Sequence, residues 1–210
     1  MATFLSIQTR FLALVDESAI TATHKSHINY AIKDIINAFP FSWDLTTASL
    51  TLAAGTANLP STYNPKWRIY DARITASSTS DDSIFTEIDP KDRDSYGSTD
   101  YVYWITNNAG TFVFNTPVQT GTVTIYYYTL PTDLSGDNDV CVVPDAEAVA
   151  LMAASKHFLG EDQDPNLKDM YEKESGGRVQ AMYSQDLNFG PKVYESSKVS
   201  QNSSLTTRGV

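Results

Sequence analysis

The sequence predicts an α+β fold: a helical bundle built from an N-terminal hairpin and C-terminal helices, with an inserted antiparallel β-rich lobe and an extended C-terminal arm. Three observations carry this. Apolar residues recur at spacings of three and four near both ends of the chain, the helical period. The middle turns to Thr, Ser, Gly, Tyr and β-branched residues, punctuated by Pro60, Pro65, Pro90, Pro117 and Pro131, which favours short strands. Beyond Gln185 the apolar period stops and the composition becomes polar. The expected parts are residues 1–43 (hairpin), 44–143 (β lobe), 144–184 (C-terminal helices) and 185–210 (polar arm).

Phe4, Ile7, Phe11 and Leu14 place an amphipathic helix over residues 3–16. A partner helix begins after Thr23 or Ser26, either of which can cap it, and carries Ile28, Ala31, Ile32, Ile35, Ile36 and Phe39 until Pro40 stops it. The pair reads as an αα-hairpin. Strands are expected at 49–53, 67–76, 84–88, 101–106, 111–115 and 122–129. In the last, Val123, Ile125 and Tyr127 alternate with Thr124, Tyr126 and Tyr128, so one face is core and the other polar and aromatic. Asn107-Asn108-Ala109-Gly110 supplies hairpin-turn residues. Asp145 can cap a helix with a stripe of Ala148, Leu151, Met152, Ser155, Phe158 and Leu159 that ends at Gly160. Asp164-Pro165 opens a last helix to about residue 184, which Gly176-Gly177 could kink or divide.

Fifteen basic against 25 acidic residues give a net charge of −10, which disfavours stable nucleic-acid binding but not transient passage of DNA. No apolar run approaches the roughly 20 residues that span a bilayer, and a soluble product made in the cytoplasm is expected. Twelve tyrosines suit surfaces shared with partners. The lone Cys141 lies among valines and reads as a small buried residue.

No catalytic constellation stands out: there is no phosphate-cradling glycine loop and no nucleophile elbow. An enzyme with a site assembled from distant residues remains a rival, marked by a deep pocket of convergent polar groups. His24 and His27 are too few for zinc and read as capping or surface residues, while His157 reads as solvent-facing or interfacial. Asp133, Asp137 and Asp139 lack the order of a calcium loop and read as a turn. No cofactor and no metal are expected.

One stretch points further. Ile28 to Trp43, INYAIKDIINAFPFSW, resembles the second helix of the head-to-tail connector adaptors of tailed bacteriophages, closed by an aromatic-Pro-aromatic and a Trp. Leu50 to Tyr63, LTLAAGTANLPSTY, is similar to that family's strand, turn and Leu-Pro. Ile125 to Pro144 resembles its late pattern of a tyrosine-rich strand, a Leu-Ser turn and a Pro before the C-terminal helix. The resemblance covers about residues 4–182. The loop DPKDRDSYGSTD matches only loosely, and the arm lies outside it.

The resemblance implies a non-enzymatic virion protein at the capsid–tail junction, a homo-oligomeric ring of twelve that docks on the portal protein and carries the tail nozzle or tube protein, with tail fibres as a further candidate partner. DNA would pass through its channel at ejection without sequence-specific binding. The arm residues Phe189, Lys192, Val193, Tyr194, Val199, Leu205 and Arg208 are expected to bind the portal or a neighbouring subunit, since an arm that folds on a partner wraps a large surface. Tyr101, Tyr103, Trp104, Tyr126 and Tyr128 are candidates for a tail, fibre or subunit interface. A rival reading makes the β lobe a carbohydrate or receptor module, with Trp67, Tyr101, Tyr103 and Trp104 as stacking platforms.

Overall fold

A computed structural model of the chain describes residues 2–75, 82–160 and 163–189. The fold is α+β, with four α-helices and an eight-stranded mixed sheet among the described residues.

Helix α1, Phe4–Val15, starts where the Thr3 hydroxyl accepts the Ser6 N–H and stops at Asp16, which turns left-handed at φ 56°. Helix α2, Ala22–Ala38, is capped by Thr21, not Thr23 or Ser26. The deciding contact is reciprocal: the Thr21 hydroxyl accepts the His24 N–H at 3.1 Å, and His24 Nδ1 accepts the Thr21 N–H at 3.3 Å. The histidine thus does what Glu or Gln does in the common capping box. Phe39 is extended, as a residue before proline must be. Helix α3, Ala146–Gly160, begins with Asp145 Oδ1 accepting the N–H groups of Glu147 and Ala148. Helix α4, Pro165–Phe189, begins with Asp164 serving Asn166 and Leu167 in the same way. It runs past residue 184, and the two glycines do not divide it.

Helix α3 is the centre of this layer. It buries Ala148, Val149, Ala150, Leu151, Ala153, Ala154, Ser155, His157 and Phe158, so nearly every side is covered, as expected of a helix apolar all round. Side chains of α1, α2 and α4 join it in one apolar cluster with Cys141 and Val143. Helices α1 and α2 lean mainly on α3 and only lightly on each other, which departs from the expected hairpin. Two expectations fall with it. His157 is not solvent-facing but 2% exposed, its ring edge-on to Phe11 and His24, because the side of α3 away from the apolar stripe is also covered. Leu159, placed in the stripe, is exposed at the helix end.

The strands are β1 (Leu45–Ala53), β2 (Thr56–Asn58), β3 (Asp71–Thr75), β4 (Asp82–Ile84), β5 (Thr86–Glu87), β6 (Val102–Asn108), β7 (Thr111–Asn115) and β8 (Thr120–Tyr128). Their order is β4-β3-β8-β1-β2-β7-β6-β5. The expected lobe was antiparallel, but β5 and β6 pair parallel, because the chain reaches β6 through a crossing segment rather than a hairpin. The two outermost strands are separated only by Phe85. Its N–H bonds Ala72 O on β3 at 2.8 Å, and the next N–H, of Thr86, bonds Tyr101 O beside β6 at 3.0 Å. The sheet therefore turns back on itself across Phe85 like a small barrel, although β1 meets β2 only at Ala53 and Thr56.

Its interior is filled by Leu50, Leu52, Leu59, Tyr63, Ile69, Ala72, Phe85, Tyr103, Phe114, Val123, Ile125 and Tyr127. Strand β8 follows the expected alternation, with Val123, Ile125 and Tyr127 buried and Thr124, Tyr126 and Tyr128 half-buried on the outer face. Two tight turns fix the register. Ala109 and Gly110 join β6 to β7 at φ 50° and 89°, and Ala54 and Gly55 join β1 to β2 at φ 49° and 76°, the paired left-handed geometry of a two-residue hairpin.

Candidate assembly surfaces

The two cores meet along the connector from α2 to β1, which runs Phe39-Pro40-Phe41-Ser42-Trp43-Asp44. Tyr183 of α4 stacks on Phe39 with ring centres 4.3 Å apart and planes 13° apart, and Phe41 stacks on Trp43 at 4.6 Å. Asp186, one turn further along α4, accepts the Ser42 N–H at 2.7 Å and also bonds the Ser42 hydroxyl. The last turns of α4 are thus fastened to the connector, and the chain leaves the described residues from there.

Asp44 sits under this joint. It is 7% exposed, accepts the Thr129 hydroxyl at 2.6 Å, and burial pushes its carboxyl up to about 6 despite that bond. Tyr128 lies alongside, pushed up to about 12 chiefly by burial, with Tyr70, Asp186, Tyr183 and Asp44 adding to the cost of its anion. Asn37 and Asn64 tie α2 to the barrel at 3.0 Å. Asn29 holds both the N–H and the carbonyl of Leu134, at 2.9 and 3.0 Å, where the chain returns to the helices. The Asp139 carboxylate then closes a turn on the N–H groups of Ser135 and Gly136, which hold its carboxyl below the usual range.

The five predicted interface aromatics separate. Tyr103 is 3% exposed and stacks on Phe114 at 4.9 Å, inside the barrel. Tyr101 is 40% exposed and edge-on to Phe85. Trp104 is half-buried on β6 opposite Asn115. Tyr126 and Tyr128 share the outer face, where Trp67 and Tyr70 set their rings edge-on to Tyr128 at 6.4 Å. As a stacking platform Tyr103 is out of reach. Trp67 already packs against Tyr128 and under the Lys66 ammonium. Of the predicted arm, Phe189 is the last residue of α4. Lys192, Val193, Tyr194, Val199, Leu205 and Arg208 lie outside the described residues.

Sequence reasoning missed the Ser42–Asp186 clamp and the buried Asp44. The sequence marked the Phe39–Trp43 stretch, but a helix end 144 residues away in the chain has no local signal. A second surface also went unread: an open groove of about 750 Å³ between Pro144, Ala146 and Glu147 at the head of α3 and Arg178, Ala181, Met182 and Gln185 of α4. Val140 and Val142 flank buried Cys141 and stay exposed, as does Leu5, two residues after the Thr3 that pairs with Val140.

The sequence model of the SU10 adaptor protein family matches residues 2–193, a stretch that takes in every described residue. The chain belongs to that family. It is therefore a phage head–tail adaptor, in agreement with the resemblance carried by residues 28–43, 50–63 and 125–144. The match begins ahead of α1 and extends past Phe189, the last described residue, to include Lys192 and Val193. No curated protein matched the adaptor's sequence. Among its described residues, no three His, Cys, Asp or Glu side chains gather as a metal site, and no helix is long and apolar enough to cross a membrane.

Proposed function

We propose that this adaptor is a structural, non-catalytic part of the virion that assembles as a ring of twelve subunits, docks on the portal protein at the capsid vertex and carries the tail below it, with DNA passing through its channel. The observation that carries the reading is the family match over residues 2–193. Three features support it. The faces and loops of the sheet offer aromatic contact surface, where the adaptor presents half-buried Tyr126 and Tyr128 and exposed Tyr101. A net charge of −10 repels DNA and favours its sliding over its retention. Residues 190–210 carry Lys192, Lys198 and Arg208 against Glu195 alone, so a basic arm follows an acidic body.

The arm is the portal- or neighbour-binding element, with Phe189, Val193, Tyr194, Val199 and Leu205 as its apolar contacts. Full-length protein and a chain ending at residue 189 would each be mixed with portal rings and followed by sedimentation and negative-stain imaging. The expected outcome is a twelvefold layer added to the portal by the full-length chain and none by the shorter one. Failure of the full-length chain to bind portal overturns the assignment, and equal binding by both chains overturns the role of the arm.

A further inference from the structure

Helix α4 holds two consecutive glycines in its interior, Gly176 and Gly177. Glycine weakens a helix interior because it gives up more backbone freedom than any other residue. It is normally explained there by a close neighbour or a left-handed backbone. Neither holds: a Cβ at either position would meet nothing within 4 Å, both residues face solvent, and neither is among the positive-φ residues. Nothing in this conformation requires glycine, so the pair serves a conformation in which the helix bends or opens at that point.

The two halves of α4 are held very differently. Before the glycines, the Ser175 hydroxyl, fully buried, donates to Ala148 O, and Tyr171 stacks on Phe158 while its hydroxyl reaches Leu14 O. After them, only Val179 is buried among residues 178–187, and Met182 and Tyr183 reach the apolar cluster from its edge. The 750 Å³ groove runs beside this half, so its packing is incomplete. Its firm attachments are few: Arg178 to Asp145 at 3.3 Å, Tyr183 on Phe39, and Asp186 on Ser42.

We propose that Gly176–Gly177 is a hinge, and that on ring closure residues 178–189 leave their own subunit and dock on the Phe39-Phe41-Ser42-Trp43 seat of an adjacent copy. The proposal rests on the ring reading above. The seat specifies its occupant: it takes one aromatic ring and, three residues later, one carboxylate, and a second copy supplies both at that spacing. Exchange between identical chains reproduces the Tyr183–Phe39 and Asp186–Ser42 contacts while linking the subunits, which makes swapping an economical route to oligomers.

Cysteine cross-linking tests this in a Cys141→Ala background. Chains carrying S42C alone and D186C alone are mixed, assembled with portal and oxidised. Covalent S42C–D186C pairs between chains are expected in the ring fraction. A single chain carrying both substitutions is expected to close within itself when oxidised as a monomer and to assemble only after reduction. Rings built from the internally closed chain at the wild-type rate overturn the hinge, and rings without interchain pairs overturn the exchange. Wild-type protein that forms no ring with portal removes the ring reading itself, and the exchange with it. The G176A/G177A chain gives an independent measure: its Tm should rise by about 4 to 8 °C while its ring yield falls at least fivefold, and an unchanged yield counts against the hinge.

Discussion

Thr129 donates its hydroxyl to Asp44 at 2.6 Å, and the Thr129 N–H meets the Asp44 carbonyl at 3.4 Å, so one residue at the end of β8 satisfies a buried carboxyl at the joint between the helices and the barrel. The bond lowers the carboxyl's affinity for protons, but burial outweighs it and leaves the group at about 6 against 3.8 for a free side chain.

A pH dependence follows with a definite sign. A folded pKa above the unfolded one means that the fold prefers the protonated acid. The stability this gives is complete below pH 3.8 and lost as pH rises through 6. The penalty above pH 6 reaches at most about 3 kcal/mol. Asp44→Asn keeps an acceptor for Thr129 and removes the charge, so it should be more stable than wild type at pH 7. The advantage should shrink steadily toward pH 4 in urea titrations of both proteins. A constant difference across that range would show that Asp44 does not titrate in the fold.

Gly55 is the glycine that the barrel cannot exchange. Its φ is 76°, and a Cβ there would come within 2.4 Å of the Thr116 carbonyl oxygen, which is backbone and cannot turn aside. Gly55→Ala should cost about 2 to 3 kcal/mol, whereas Gly110→Ala, with no atom within 4 Å of its Cβ, should cost about 1. Denaturation midpoints of the two variants give the comparison directly.

Phe85 closes the sheet. It is 5% exposed and packs edge-on to both Phe114 and Tyr101. Phe85→Ala should destabilise by about 3 to 5 kcal/mol. It should also speed amide hydrogen exchange at Thr86 and Ile88, whose bonds to Tyr101 and Tyr103 complete the closure, more than at β1 and β8. Uniform protection loss would mean that the closure is not a separate weak point.

Cys141 is fully buried, and burial pushes its thiol up. Since the thiolate is the reactive form, a thiol reagent at pH 7.5 should label the folded protein no faster than the protein unfolds. Rapid stoichiometric labelling of native protein would contradict the packing of the segment that pairs with Thr3.

The periodic parts of this fold were legible because they are encoded locally. The three-and-four spacing of Phe4, Ile7 and Phe11 produced α1 within a residue or two, and the alternation from Val123 to Tyr127 oriented β8 correctly. The Asn-Asn-Ala-Gly turn produced its hairpin. The same local logic failed wherever several local answers were equally good. Thr21, Thr23 and Ser26 are all competent caps, and the reciprocal bond with His24 selected one. For α3 a single stripe was read, but a helix of alanines is narrow enough for three others to crowd around it, and this buried His157.

By itself the sequence determined the α+β order, the strand and turn chemistry, and, through the ordered motifs from Ile28 to Trp43 and Ile125 to Pro144, the kinship with phage adaptors. Only the tertiary structure decided that the sheet closes across Phe85, that Asp186 clamps Ser42, and that Gly176 and Gly177 meet no neighbour. The physical reason is range: hydrophobic period and turn preference act over a few residues. Closure, clamp and open space depend on groups up to 144 residues apart, which meet only after both cores have formed.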